Sequence, residues 1–219
     1  MPADPGDGPG MGPRHGPEPV TSAPDPAVGA GPARLHALQR TGASVLWLHG
    51  HLLRAEETVC RRVNAWSHTG WVRVLFGTVS RLGDGVLWYA VMAVLAVTGG
   101  PGGPTAAARM ALTGLAATTV YKVLKGVFRR QRPPARHEGL HLSVPPLDEF
   151  SFPSGHTLHA VAFTIVAVEA CPPLAVLLVP FAALVAVSRV VLGLHYVSDV
   201  LVGALLGVQL GLWGLQLPL

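Results

Sequence analysis

Five apolar segments separated by short polar ones dominate the pattern along the chain: Val86–Val97, then residues 106–127, 154–170, 174–191 and 195–217. Runs of this kind predict membrane-crossing helices, because a bilayer core about 30 Å thick needs about 20 residues of helix. The first run is short by itself, so its helix is expected to begin before Gly83 or to tilt against its neighbours. Asp84, between Gly83 and Gly85, then reads most simply as a turn or helix N-cap residue. Gly99–Pro104 is a loop, and the segment after it is rich in Ala, Gly and Thr, which lets helices approach closely. Pro172 and Pro173 stop the third run. Very short connections make the last three helices antiparallel neighbours. The expected fold class is all-α, a polytopic transmembrane helical bundle of about five to six spans with an N-terminal amphipathic helical segment.

The chain before these runs reads differently. Residues 1–32 hold nine Pro and seven Gly with almost no large apolar side chains, a composition that cannot offset the entropy of ordering, so a disordered tail is expected. From residue 33 to about 70, leucines alternate irregularly with Arg34, Arg40, Arg54, Glu56, Glu57, Arg61 and Arg62. That pattern fits an amphipathic helix lying in the interface, with Trp47, Trp66 and Trp71 as interfacial anchors. A sixth span, if present, falls within residues 35–70. His49 and His51 are two apart, on different sides of a helix, and do not make a metal pair. Three parts result: a tail over 1–32, an amphipathic segment over 33–70 and a membrane domain over 71–219.

Composition agrees, with 50% hydrophobic and only 13% charged residues. The net charge of +4 is unevenly placed, because six basic residues lie between Lys122 and Arg136 with no acid among them. Such a block suits phosphate, lipid headgroups or nucleic acid, and equally a juxtamembrane anchor on anionic lipid. Cys60 and Cys171 are far apart and make neither a metal motif nor a disulfide framework. The N-terminus lacks the basic start and short apolar run of a secretory signal, so insertion is expected to rely on the first true span.

Alternation of the helices has a chemical consequence. The ends near Lys125, Ser154, Arg189 and His195 all emerge on one face. Lys125 and, seven residues on, Arg132-Pro133 offer a mobile point charge and a planar fork of donors for phosphate oxygens, although basic residues at a helix end also serve the last carbonyls. Pro153-Ser154-Gly155-His156 opens a helix: Ser154 can cap, Gly155 lets an oxyanion approach backbone N–H groups, and His156 can deliver a proton. The same tetrapeptide also serves as a plain capping sequence, and His159, one turn on, reads as a packing residue. Ser188-Arg189 is followed by His195 and then Asp199. If a helix begins near His195, Asp199 lies beneath the imidazole and accepts the Nδ1 proton, leaving Nε2 as a nucleophile. Burying Arg, His and Asp among apolar residues for packing alone is costly.

Together, the Lys, Arg-Pro, Pro-Ser-Gly-His and Ser-Arg…His…Asp elements stand in the order and spacing of the type 2 phosphatidic acid phosphatase family, which the chain resembles over about residues 71–217. The resemblance implies that His195 takes the phosphoryl group as phosphohistidine, that Asp199 orients it, and that His156 protonates the leaving oxygen and then assists the attacking water. Lys125, Arg132, Arg189, Ser154 and Gly155 resemble the family's phosphate cradle. No metal and no other cofactor is expected, since the three cations supply the positive charge. Lys122, Arg129, Arg130 and Arg136 have no family role and are expected to mark the membrane edge. The expected partner is a membrane lipid substrate, with no nucleic acid: undecaprenyl pyrophosphate, phosphatidate or phosphatidylglycerol phosphate are the family's classes. Similarity to bacterial members implies a cell (inner) membrane enzyme with a periplasmic catalytic face. The alternatives are a lipid phosphotransferase, a protein like the vanadate-dependent haloperoxidases, and a non-catalytic lipid-binding protein.

Overall fold

A computed structural model describes Met1, His51 and residues 54–137, 139–146 and 148–219. The Pro/Gly-rich tail from residue 2 and the first part of the amphipathic segment, with Trp47 and His49, lie outside the described residues. Helix α1 covers residues 54–65 and runs into a short 3-10 turn, Trp66–His68. Then follow α2 (Gly70–Arg81), a kinked joint (Leu82–Val86), α3 (Leu87–Thr98), α4 (Gly103–Phe128), the single turn α5 (Pro133–Arg136), α6 (Gly155–Ala170), α7 (Ala175–Val191) and α8 (Val197–Leu215). There is no strand among the described residues.

Among the described residues, three stretches are long and apolar enough to cross a bilayer: Gly70–Thr98, Pro172–Val191 and Val197–Leu215. The fourth apolar helix, α6, has 16 residues, about 24 Å of rise, so it is shorter than the bilayer core. Helix α4 has 26 residues but carries many small and polar ones in place of large apolar side chains. Five helical bodies therefore match the five expected runs, and the first does begin before Gly83. Asp84 stands at the turn that Gly83-Asp84-Gly85 suggests: Asp84 (φ −87°, ψ 27°) and Gly85 (φ 121°, ψ −42°) leave helical geometry, so α2 and α3 are two helices joined across a kink within Gly70–Thr98.

The interior is apolar, built on Trp88, Met110, Leu158, Val166, Leu178 and Val185. The exterior is apolar as well, with Trp71, Val97, Leu115, Val176 and Leu205 exposed on five different helices. An apolar outer surface of this extent belongs in lipid. The protein is a membrane protein. Helix α8 lies closely against α6 through Gly203, Gly207, Gly211 and Gly214, and a Cβ at Gly207 would stand 2.6 Å from the Leu158 carbonyl oxygen. This contact fixes the start of α8 beside the start of α6, where the Ser154 N–H donates to the Asp199 carbonyl at 3.0 Å. At the same end, buried Asn64 of α1 donates to the carbonyls of His141 and Val191, both at 2.9 Å, tying the long α5–α6 connection to the end of α7.

Candidate active site

The Ser-Arg…His…Asp segment builds its own corner. After α7 the chain turns back, so that the His195 N–H donates to the Arg189 carbonyl at 3.1 Å. Gly193 makes this turn at φ 73°, where an added Cβ would meet the His141 carbonyl oxygen at 2.5 Å. His195 thereby comes to lie over Arg189, and both are buried. Helix α8 begins at Val197, two residues later than the sequence pattern implies, which makes Asp199 the third helical residue. Its Oδ2 accepts the Tyr196 N–H at 2.9 Å and stands 3.5 Å from His195 Nδ1, long for a hydrogen bond. Burial, and after it the positive charges of Arg189, Arg132 and Lys125, holds the His195 imidazole well below the usual histidine value. The ring is therefore neutral at pH 7.

Lys125, Arg132, Gly155, His156, Arg189 and His195 line one cavity of about 910 Å³. Of the expected site residues, two are not at its wall. Asp199 is fully buried behind His195, and Ser154, also buried, bonds Thr157 Oγ1 at 3.0 Å instead of capping α6 with its hydroxyl. His159 also lines the cavity, with Nδ1 2.8 Å from the Gly155 carbonyl oxygen. The cavity continues past these polar groups to Trp88, Met92, Leu115 and Phe163. It is charged at one end and apolar at the other. Among the described residues no group of His, Cys, Asp and Glu is arranged to hold a metal ion.

A second set of residues surrounds the expected one. Asp148 bridges two of the cations, its Oδ1 lying 2.6 Å from Lys125 Nζ and 2.5 Å from an Arg132 nitrogen. Arg132 also donates to the Leu194 carbonyl at 2.6 Å, beside His195. Arg189 donates to Ser80 Oγ of α2. Arg130 corrects its expected place at the membrane edge. Its Nη1 donates to Asp199 Oδ1 and Ser198 Oγ, both at 2.6 Å, while Nη2 reaches Glu56 Oε2 at 2.8 Å. The guanidinium lies 3.9 Å over the Tyr196 ring, and Glu56 also accepts the Ser198 N–H at 2.7 Å. Burial works against the Arg130 charge, but Asp199 and Glu56 outweigh it and raise its value above that of an ordinary arginine.

The model of the PAP2 superfamily matches residues 106–218, just over half of the chain. The chain belongs to the PAP2 superfamily. It is 40% identical over 96 residues to a decaprenylphosphoryl-5-phosphoribose phosphatase of Mycobacterium tuberculosis, covering 43% of this chain and 51% of that protein. A probable lipid phosphate phosphatase beta of Arabidopsis thaliana is 32% identical over 122 residues, covering 43% of this chain and 57% of that one. The chain thus spans about half the length of the curated relatives it matches. Two solved structures are similar, each at 26% identity: LpxE of Aquifex aeolicus, with a TM-score of 0.64 over 73% of this chain and 94% of that one, and a transmembrane PAP2-type phosphatidylglycerolphosphate phosphatase of Bacillus subtilis, with 0.59 over 75% and 84%. The PAP2 motif residues all fall within the matched region, whereas Glu56, Ser80 and Asp84 precede it. Arg130 and Asp148 lie inside it, at positions to which the sequence reading gave no role in the site.

Proposed function

We propose that the protein is an integral membrane phosphatase that hydrolyses a lipid phosphate or pyrophosphate through a phosphohistidine, without a metal. The observation that carries this reading is the convergence of His156, His195, Lys125, Arg132 and Arg189, with His159 and Lys122 also at the wall, on one cavity whose far end is apolar. Lys125, Arg132 and Arg189 neutralise the phosphate oxygens, the task on which phosphoryl transfer chiefly depends. Gly155 at the start of α6 adds backbone N–H groups for the same charge. His195, neutral and buried, attacks phosphorus through Nε2, with Asp199 behind it to stabilise the charge that develops on the ring. His156 gives its proton to the leaving oxygen and takes one back from the attacking water. Trp88, Met92, Leu115 and Phe163 receive the first part of the lipid chain.

Substrates of the polyprenyl-linked or glycerolipid phosphate class fit the apolar end of the cavity, and the mycobacterial relative's name puts decaprenylphosphoryl-5-phosphoribose among the first to test. We place the enzyme in the bacterial cell membrane with its site on the periplasmic face, which reporter fusions at the two termini will check. The direct test is phosphate release by the purified protein in detergent and chelator, over that compound, undecaprenyl pyrophosphate, phosphatidate and phosphatidylglycerol phosphate. Release from at least one lipid, lost in His195→Ala, is expected. Silence on the whole panel, or equal release by the variant, contradicts the proposal.

A further inference from the structure

The joint at Leu82–Val86 is a kink in the middle of an apolar stretch, with Asp84 and Gly85 out of helical geometry, and several residues sustain it. Gly85 takes φ 121°, a conformation open to glycine and strained for other residues. Gly83 is pressed against α7, where a Cβ would stand 2.8 Å from Val185 Cγ2. The buried Trp88 indole donates to the Gly83 carbonyl at 3.1 Å, satisfying a group at the kink. Between the two glycines, Asp84 lines the cavity with Oδ1 3.3 Å from His156 Nε2. A carboxylate within an apolar membrane stretch is expensive and marks a functional position.

We propose that Asp84 is a positioning residue for proton delivery, acting through His156: in the free enzyme its carboxylate keeps the ring proton on Nε2, the nitrogen that faces the cavity, and it yields that N–H to the leaving oxygen once substrate is bound. This rests on the phosphatase reading above. In the first step the His195 Nε2 lone pair forms the N–P bond, the bond from phosphorus to the bridging oxygen breaks with its electron pair on that oxygen, and the His156 proton joins it to give the free alcohol. In the second, water adds to phosphorus, the N–P pair returns to His195 and the proton of the water returns to His156. Asp84 accepts no proton in either step. It fixes which ring nitrogen faces the bond being broken.

The benefit of such a pair depends on the leaving oxygen. An alkoxide needs the proton, whereas a nitrophenolate leaves without it. The test uses the full chain in detergent, as wild type, Asp84→Asn, Asp84→Glu, His156→Ala and His195→Ala, with phosphatidate and p-nitrophenyl phosphate as substrates. The quantity read is kcat/KM, which reports the steps through cleavage of the first P–O bond. Asp84→Asn is expected to lower kcat/KM for phosphatidate on the order of 100-fold and for p-nitrophenyl phosphate only a few-fold, with Asp84→Glu regaining part of the phosphatidate rate. His156→Ala is expected to show the same bias, more strongly. The ratio between substrates does not depend on the fraction of protein folded. Equal losses on both substrates, or no loss on either, overturn the role of Asp84 while leaving the phosphatase reading intact, provided that wild-type release vanishes in His195→Ala. Release that survives in His195→Ala, or a silent wild type, overturns both.

Discussion

The site pairs each of two histidines with a carboxylate, and the pairs are built in opposite ways. Asp199, behind His195, is fully buried and held from two sides: Arg130 on one oxygen, the Tyr196 N–H on the other. Asp84, facing His156, has a side chain 45% exposed to the cavity and rides on a distorted helical turn. A nucleophile must return to one position in every turnover, so a closed shell with an anchored carboxylate suits it. A group that passes protons to successive oxygens must share its surroundings with them. The two halves also differ in origin, since the first lies mainly within the PAP2-matched region and the second depends on the helix before it.

The largest test of this contrast is on the closed side. Arg130→Ala leaves the buried Asp199 without its cation, and loss of His195 alignment is expected to lower kcat on the order of 100-fold with little change in KM, measured by steady-state phosphate release. Arg130→Lys is expected to restore little, because a single ammonium cannot reach Asp199, Ser198 and Glu56 from one plane over Tyr196. Recovery of full activity in the lysine variant contradicts the clamp.

The pH dependence of phosphoenzyme formation is a second test. Because burial and the three neighbouring cations depress the His195 value, its lone pair stays free as pH falls through about 6.5, where an ordinary histidine becomes half protonated. The rate of formation in rapid quench is therefore expected not to fall through protonation of the nucleophile there; a midpoint at about 6.5 assigned to His195 contradicts the electrostatics.

Asp148→Asn is expected to have a smaller effect, and in the favourable direction. Its carboxylate holds Lys125 and Arg132, the cations that receive the phosphate, so an uncharged side chain is expected to lower KM a few-fold in the same assay. The least effect on chemistry is expected from Gly207→Val, which overpacks the α6–α8 contact and costs roughly 1–3 kcal/mol of stability, read as a lower unfolding temperature in detergent.

Most of the bundle was legible because apolar runs and proline stops mark membrane helices directly, and alternation of those helices carries Lys125, Arg132, His156, Arg189 and His195 to one end. Asp199 shows where such reading stops. Its spacing from His195 was visible, but the helix starts at Val197, so the carboxylate turns first to the Tyr196 N–H and Arg130. Glu56 meets Ser198 across 142 positions and Arg130 meets Asp199 across 69, separations at which no local periodicity operates. Gly-Asp-Gly marks the kink at Asp84, but the packing of Gly83 on α7 and the Trp88 hydrogen bond that fix its direction join residues no local pattern connects to the site. The glycines at 203, 207, 211 and 214 did carry a signal, a repeat near one helical turn that predicts a close helix contact.

The central claim is that His195 carries the phosphoryl group. The measurement that tests it most directly is a single-turnover acid-free quench of the detergent-solubilised enzyme with ³²P-labelled lipid phosphate, followed by mapping of the labelled residue. The account predicts transient, alkali-stable and acid-labile label on His195, absent from His195→Ala. Turnover of the lipid by wild type with no label on His195, or label and turnover retained in the variant, contradicts it.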